Sequence, residues 1–94
     1  MITIFALIKK QHGKSVSRRL RIADKLPAII YGGKQAPIAI ILDQKKIMNL
    51  QNKDDFYHQS LILIIEGLEH NVKVHSVQQH PFKPKMLHID FIRV

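Results

Sequence analysis

Six histidines, four serines and seven acidic residues are the side chains in this chain with the widest chemical options, and the chain has no cysteine. Without cysteine there is no thiolate nucleophile, no disulfide and no Cys-containing zinc site. His70, His75, His80 and His88 lack the i,i+4 pairing of a helical zinc site and read as surface or packing residues. Ser15, Ser17, Ser60 and Ser76 stand in no nucleophile elbow, and among the acids only Asp54 and Asp55 adjoin. The pattern therefore points away from an enzyme: it assigns no catalytic residue, no metal and no cofactor. The chemistry it does suggest is binding. In "KMLHIDFIRV", alternation places Leu87, Ile89 and Phe91 on one strand face and leaves His88 and Asp90 together on the other, about 7 Å apart along the chain. A carboxylate accepts hydrogen bonds from base amino groups and 2′-hydroxyls, and an imidazole stacks or donates, so such a pair suits base edges better than phosphates.

The second concentration of chemistry is cationic. "HGKSVSRRLRIADK", His12 to Lys25, holds five of the fifteen Lys and Arg residues and one acid. Gly13-Lys14-Ser15 mimics the end of a phosphate-binding loop, but that motif requires a glycine five positions before Gly13, and Ile8 stands there. Read as a helix, the segment places Lys14, Arg18, Arg21 and Lys25 within roughly 60° of one another, with Val16, Leu20 and Ala23 near the opposite side. A solvated helix face ordinarily mixes charge signs. Four like charges on one stripe repel by a few tenths of a kcal/mol per pair, which an anionic partner would relieve. Arginine's planar fork suits phosphate and base stacking alike.

Elements must hold these groups in place, and 94 residues supply one modest core and one domain, residues 1–94. The composition, 46% hydrophobic and 23% charged, is that of a folded globular chain, and the net charge of +8 predicts a polyanionic partner. A membrane surface fits poorly, because the basic segment has no aromatic residues to bury among headgroups. The apolar opening is about seven residues long without a basic flank ahead of it, and reads as a strand rather than a leader. No run approaches the roughly twenty apolar residues of a membrane span. Together with the lack of cysteine this fits the cytoplasm.

Alternation marks a strand over Ile2–Ile8; "AIIYGG" reads as a strand closed by a turn, and "IAIIL" as another. Ser15 or Ser17 is placed to cap a helix to about Asp24, ended by Pro27, and Asp43 to cap a helix over Gln44–Asn52 with Ile47 and Leu50 inward. "LILII", "HNVKVHSV" and "MLHIDFIRV" read as three more strands, with "HPFKPK" a loop. The fold class expected is mainly β: about six strands in an antiparallel barrel, closed by two or three short helices.

"GKSVSRRLRIADKLPAIIYGGKQAPIAI" together with "VQQHPFKPKMLHIDFIRV" resembles the short, single-domain form of bacterial large-subunit ribosomal protein number twenty-five, over essentially the whole chain. The resemblance implies a barrel similar to the anticodon-binding barrel of glutaminyl-tRNA synthetase. It implies binding to an irregular internal-loop region of 5S rRNA in the large ribosomal subunit, with neighbouring ribosomal components nearby and a monomeric free state. It carries RNA contacts onto Lys9, Lys14, Ser17, Arg18, Arg19 and Arg21 in the basic segment, and onto Tyr31, Gln78, His88 and Asp90 on the strands. At Ser76 and Gln79 the chain departs from the acid and arginine frequent in that family. The alternatives are a nonspecific RNA-binding or stress-response protein and a subunit of an RNA-processing enzyme.

Overall fold

The computed structural model describes residues 2–8 and 24–94. The helix expected between Ser15 and Asp24, and with it Lys9, Lys14, Ser17, Arg18, Arg19 and Arg21, lies outside the described residues apart from Asp24 itself. The elements are β1 (Thr3–Ile8), β2 (Lys25–Tyr31), β3 (Ile38–Asp43), α1 (Gln44–Leu50), α2 (Asp54–His58), β4 (Leu61–Ile65), β5 (Leu68–Gln79) and β6 (Met86–Arg93).

The six strands close into a barrel in the order β1-β3-β2-β6-β5-β4. The strands alternate apart from bulges in β5 and β6, and the inward residues fill the interior: Ile4 and Ala6 from β1, Leu26, Ala28 and Ile30 from β2, Ile40 and Leu42 from β3, Leu61, Leu63 and Ile65 from β4, Val72 from β5, and Ile89 and Phe91 from β6. A barrel this small has room inside only for side chains. Burying each large aliphatic or aromatic residue contributes about 1.5–3 kcal/mol.

Four of the six seams are antiparallel, as the sequence indicates, and two are parallel: β1 with β4, and β2 with β6. Alternation reports which face a residue occupies and says nothing of strand direction. Direction follows from the connections. The turns after β2, β4 and β5 make antiparallel neighbours, whereas the helical passage from β3 returns the chain as β4 beside β1, which runs the same way.

That passage caps one end of the barrel. Asp43 caps α1, its Oδ1 accepting from the N–H groups of Lys45 and Lys46 at 3.0 and 3.3 Å. The helix stops at Leu50 rather than Asn52, with the Gln51 N–H closing on the Ile47 carbonyl at 2.9 Å. Short α2, which periodicity alone does not announce, is fixed by Phe56, fully buried like Ile47 of α1. Among the described residues Gln44 is the one buried polar side chain. Its Nε2 donates to the Met86 carbonyl at 2.8 Å and its Oε1 accepts from the Met86 N–H at 3.1 Å, so the amide stands in for a neighbouring strand at the start of β6.

At the other end, Arg93 holds the loop between β2 and β3. Its Nη1 donates to the carbonyls of Gly32 at 2.7 Å and Gln35 at 3.2 Å, and its Nη2 to that of Ala36 at 2.7 Å. The Gly-Gly turn is explained at Gly32. Its φ is +96°, and a Cβ there would sit 3.0 Å from Ile92 Cγ1, so both conformation and space require glycine.

Candidate nucleic-acid interface

The outer surface of β2, β6 and β5 gathers the four strand residues singled out in the sequence. Tyr31 ends β2, pairing with Ile92; Asp90 lies opposite Ser76 and His88 opposite Gln78 on β5. Ile89 and Phe91 point inward as expected, but Leu87 does not share their burial, and Met86 takes the inner position instead. The register explains this, because Gln78 pairs with His88 while Gln79 pairs with Met86, so Leu87 is the extra residue of a bulge.

A second bulge sets the site. Val74 pairs with Phe91 and Ser76 with Asp90, which leaves His75 as the extra residue on β5. Strict alternation from Val72 and Val74 would turn Ser76 inward. The bulge flips the parity, so Val77 joins Ile89 and packs against the core while Ser76 faces out beside Asp90. The sequence carries the signal as a three-residue step from Val74 to Val77, where a regular strand would step by two.

The Asp90 carboxylate is consequently shared. Oδ2 accepts from the Ser76 hydroxyl at 2.9 Å, and Oδ1 lies 3.0 Å from His88 Nδ1. Side chains placed about 7 Å apart by strand spacing thus meet through their tips, and a serine on the next strand completes the bridge. With Nδ1 turned to Asp90, His88 presents Nε2 on the far edge of its ring, and its side chain is 37% exposed. Gln78 is exposed next to it. Ser76, one of the two positions at which the sequence departs from the resemblance, is a partner of Asp90. Gln79 is engaged with Tyr57 of α2, whose phenol is pushed above its ordinary pKa by burial and pulled back by the hydrogen bond to Gln79.

Further residues on this surface are not evident from the sequence pattern. The bulged His75 packs edge-on against Tyr31 across β6, ring centroids 5.7 Å apart. Lys73, opposite Ile92, is exposed on the same face. Beyond the Gln78 and His88 end, the loop between β5 and β6 presents Phe82, 92% exposed, beside the exposed Lys83. His80 shapes this loop, its Nδ1 accepting from the N–H groups of Phe82 and Lys83, each at 3.1 Å. An open aromatic ring next to a cation is suited to stacking on an unpaired base, and proline spacing in "HPFKPK" is the one sequence feature that marks the loop.

The arrangement offers hydrogen-bonding groups, the rings of Tyr31, His75 and Phe82, and scattered cations across the sheet and its adjoining loop. The one serine in it, Ser76, bonds to the Asp90 carboxylate and not to the His88 ring, which lies on the other carboxylate oxygen. Among the described residues no group of three or more His, Cys, Asp or Glu side chains could hold a metal ion, and no helix is long and apolar enough to cross a membrane.

Residues 6–91 match the Ribosomal L25p family, a span that begins inside β1 and ends inside β6 and so takes in β2 to β5 whole, part of β1 and most of β6, and the residues of the surface just described. The chain therefore belongs to the Ribosomal L25p family, and is an rRNA-binding β-barrel protein of the large ribosomal subunit.

Proposed function

We propose that this protein binds and stabilises an internal-loop region of 5S rRNA, acting as a single-domain, monomeric structural constituent of cytoplasmic ribosomes. The observation that carries the reading is the Ser76–Asp90–His88 bridge on an exposed sheet face, in which one carboxylate orients a hydroxyl and an imidazole on two strands. In this account Lys9, Lys14, Arg18, Arg19 and Arg21, with Ser17 beside them, neutralise phosphates and set position, as their clustering in sequence suggests. Tyr31, Gln78, His88 and Asp90 read the irregular groove. No covalent step is needed; the product is a stabilised RNA fold.

Regular A-form duplex presents phosphates and 2′-hydroxyls but neither splayed bases nor an irregular groove. Unlabelled duplex RNA of matched length should therefore compete for the protein at least ten-fold less well than 5S rRNA at physiological salt. Equal competition would leave only charge attraction, the behaviour of a nonspecific RNA-binding protein.

Phe82 extends the same surface. Phe82→Ala should weaken binding to 5S rRNA by about 1 kcal/mol, roughly five-fold, at the low end of base–aromatic stacking because the loop is open to solvent. Phe82→Tyr should restore it. The salt dependence of binding should stay unchanged in both, since no phosphate contact is lost.

A further inference from the structure

The side of the barrel away from the proposed RNA face has the opposite character. In the closed order β1 stands three strands from β6 whichever way the barrel is followed. A half-solvated strand ordinarily turns polar residues outward. On β1 the outward Phe5 and Leu7 are instead 70% and 67% exposed. They continue sideways into apolar neighbours, since Phe5 pairs with Ile64 of β4 and Leu7 with Ile41 of β3. A shallow cleft lined by Phe5, Ala6, Leu7, Ile64, Glu66 and Gly67 opens along the β1–β4 seam.

Charge decides what this surface accepts. The chain has only seven acids against fifteen Lys and Arg residues, yet two of them, Glu66 and Glu69, stand exposed at the rim, Glu69 directly opposite Ile64. Carboxylates beside an apolar cleft repel phosphate, and duplex RNA has no apolar surface to fill it. A second copy fits little better. Each copy carries a formal +8, and a patch on the order of a few hundred Å² falls short of the roughly 800 Å² per partner of a stable dimer. An apolar segment bearing cations complements both the cleft and its rim.

We propose that the Phe5–Leu7–Ile64 face is a docking surface for a segment of a neighbouring ribosomal protein that presents apolar side chains flanked by Lys or Arg. The protein would then join RNA on one side of the barrel to protein on the other. The surface rests on family membership and the geometry of β1, and is independent of which rRNA region the opposite face binds.

The test uses the full chain carrying photoreactive p-benzoylphenylalanine at Phe5, rebound to purified large ribosomal subunits stripped of their own copy. Irradiation should give an adduct to one ribosomal protein, through a peptide with apolar residues next to Lys or Arg; the same probe at Gln78 should give an RNA adduct. An adduct from position 5 to RNA, an adduct to a second copy of the chain, or no adduct would each overturn the proposal. A double variant, Phe5→Thr with Leu7→Thr, keeps strand-forming residues at both positions. With its melting temperature unchanged, it should be lost from stripped subunits at least ten-fold faster while its affinity for isolated 5S rRNA stays within two-fold. Unchanged retention, or equal loss from subunits and from isolated RNA, would contradict the docking surface. Failure of both proteins to bind 5S rRNA would count against the RNA reading alone.

Discussion

Gln44→Leu should destabilise the protein by about 2–5 kcal/mol, read as a shift of the denaturant midpoint with an unchanged slope. Leucine fills much of the same space, so the loss comes from the backbone of Met86, whose N–H and carbonyl both lose their side-chain partner. Each buried group left unpaired costs about 1–3 kcal/mol. The consequence reaches the proposed RNA surface, because Met86 opens β6 two residues before His88. Gln44→Glu provides a sharper version. An ionised carboxylate accepts from the Met86 N–H but turns a second acceptor toward the Met86 carbonyl. A protonated carboxyl has one donor and one acceptor and reproduces the amide pair. Folding should therefore raise the pKa of the introduced glutamate above its unfolded value of about 4.3. The restored stability is fully present below that value and is lost as pH rises through the higher folded one. Gln44→Leu should show no such recovery relative to the parent protein.

Asp90→Ala should weaken binding to 5S rRNA by about 2–3 kcal/mol, roughly 30- to 150-fold, although it removes a negative charge from a cationic protein. Simple attraction to RNA predicts the reverse, a tighter complex with any RNA. The geometry explains the expected loss. One carboxylate orients His88 through Oδ1 and Ser76 through Oδ2, so its removal frees two side chains on two strands at once. His88 would then lose the contact that turns Nε2 outward. The loss should be selective: nonspecific RNA should bind equally or slightly better, and the salt slope for 5S rRNA should hardly move. Asp90→Asn should fall between, since an amide has one acceptor oxygen for two donors. Tighter binding of Asp90→Ala to both RNAs would reduce the bridge to a feature of the folded surface.

The strands of this barrel are legible in sequence because a small interior admits one side chain in two from each strand, and Ile4, Leu26, Ile40, Leu63, Val72 and Ile89 are all spaced accordingly. Direction is not legible, since the parallel seams depend on where the helical passage delivers β4. Nor is the role of Gln44, which reads as an ordinary first-turn helix residue and owes its burial to a strand 42 residues away. The His88 and Asp90 pair is visible as an alternation, whereas Ser76 joins it only through the His75 bulge. That bulge leaves a trace in the spacing of Val74 and Val77, and a reader of simple alternation passes over it. Phe82 escapes because an exposed aromatic has no periodic partner to reveal it. The apolar outer side of β1 is open to view in "TIFALI", where Phe5 and Leu7 outnumber the single polar Thr3 on the outward face, and a strand buried on both sides would look much the same.

On the proposed function, the β2–β6–β5 face and the basic segment together recognise one irregular region of 5S rRNA. Chemical footprinting of total ribosomal RNA with the purified protein tests it most directly. Protection should be confined to one internal loop of 5S rRNA, with the part nearest the strands lost in Asp90→Ala while any phosphate protection from the basic segment remains. Protection spread over regular helices, or centred on another rRNA, would contradict it.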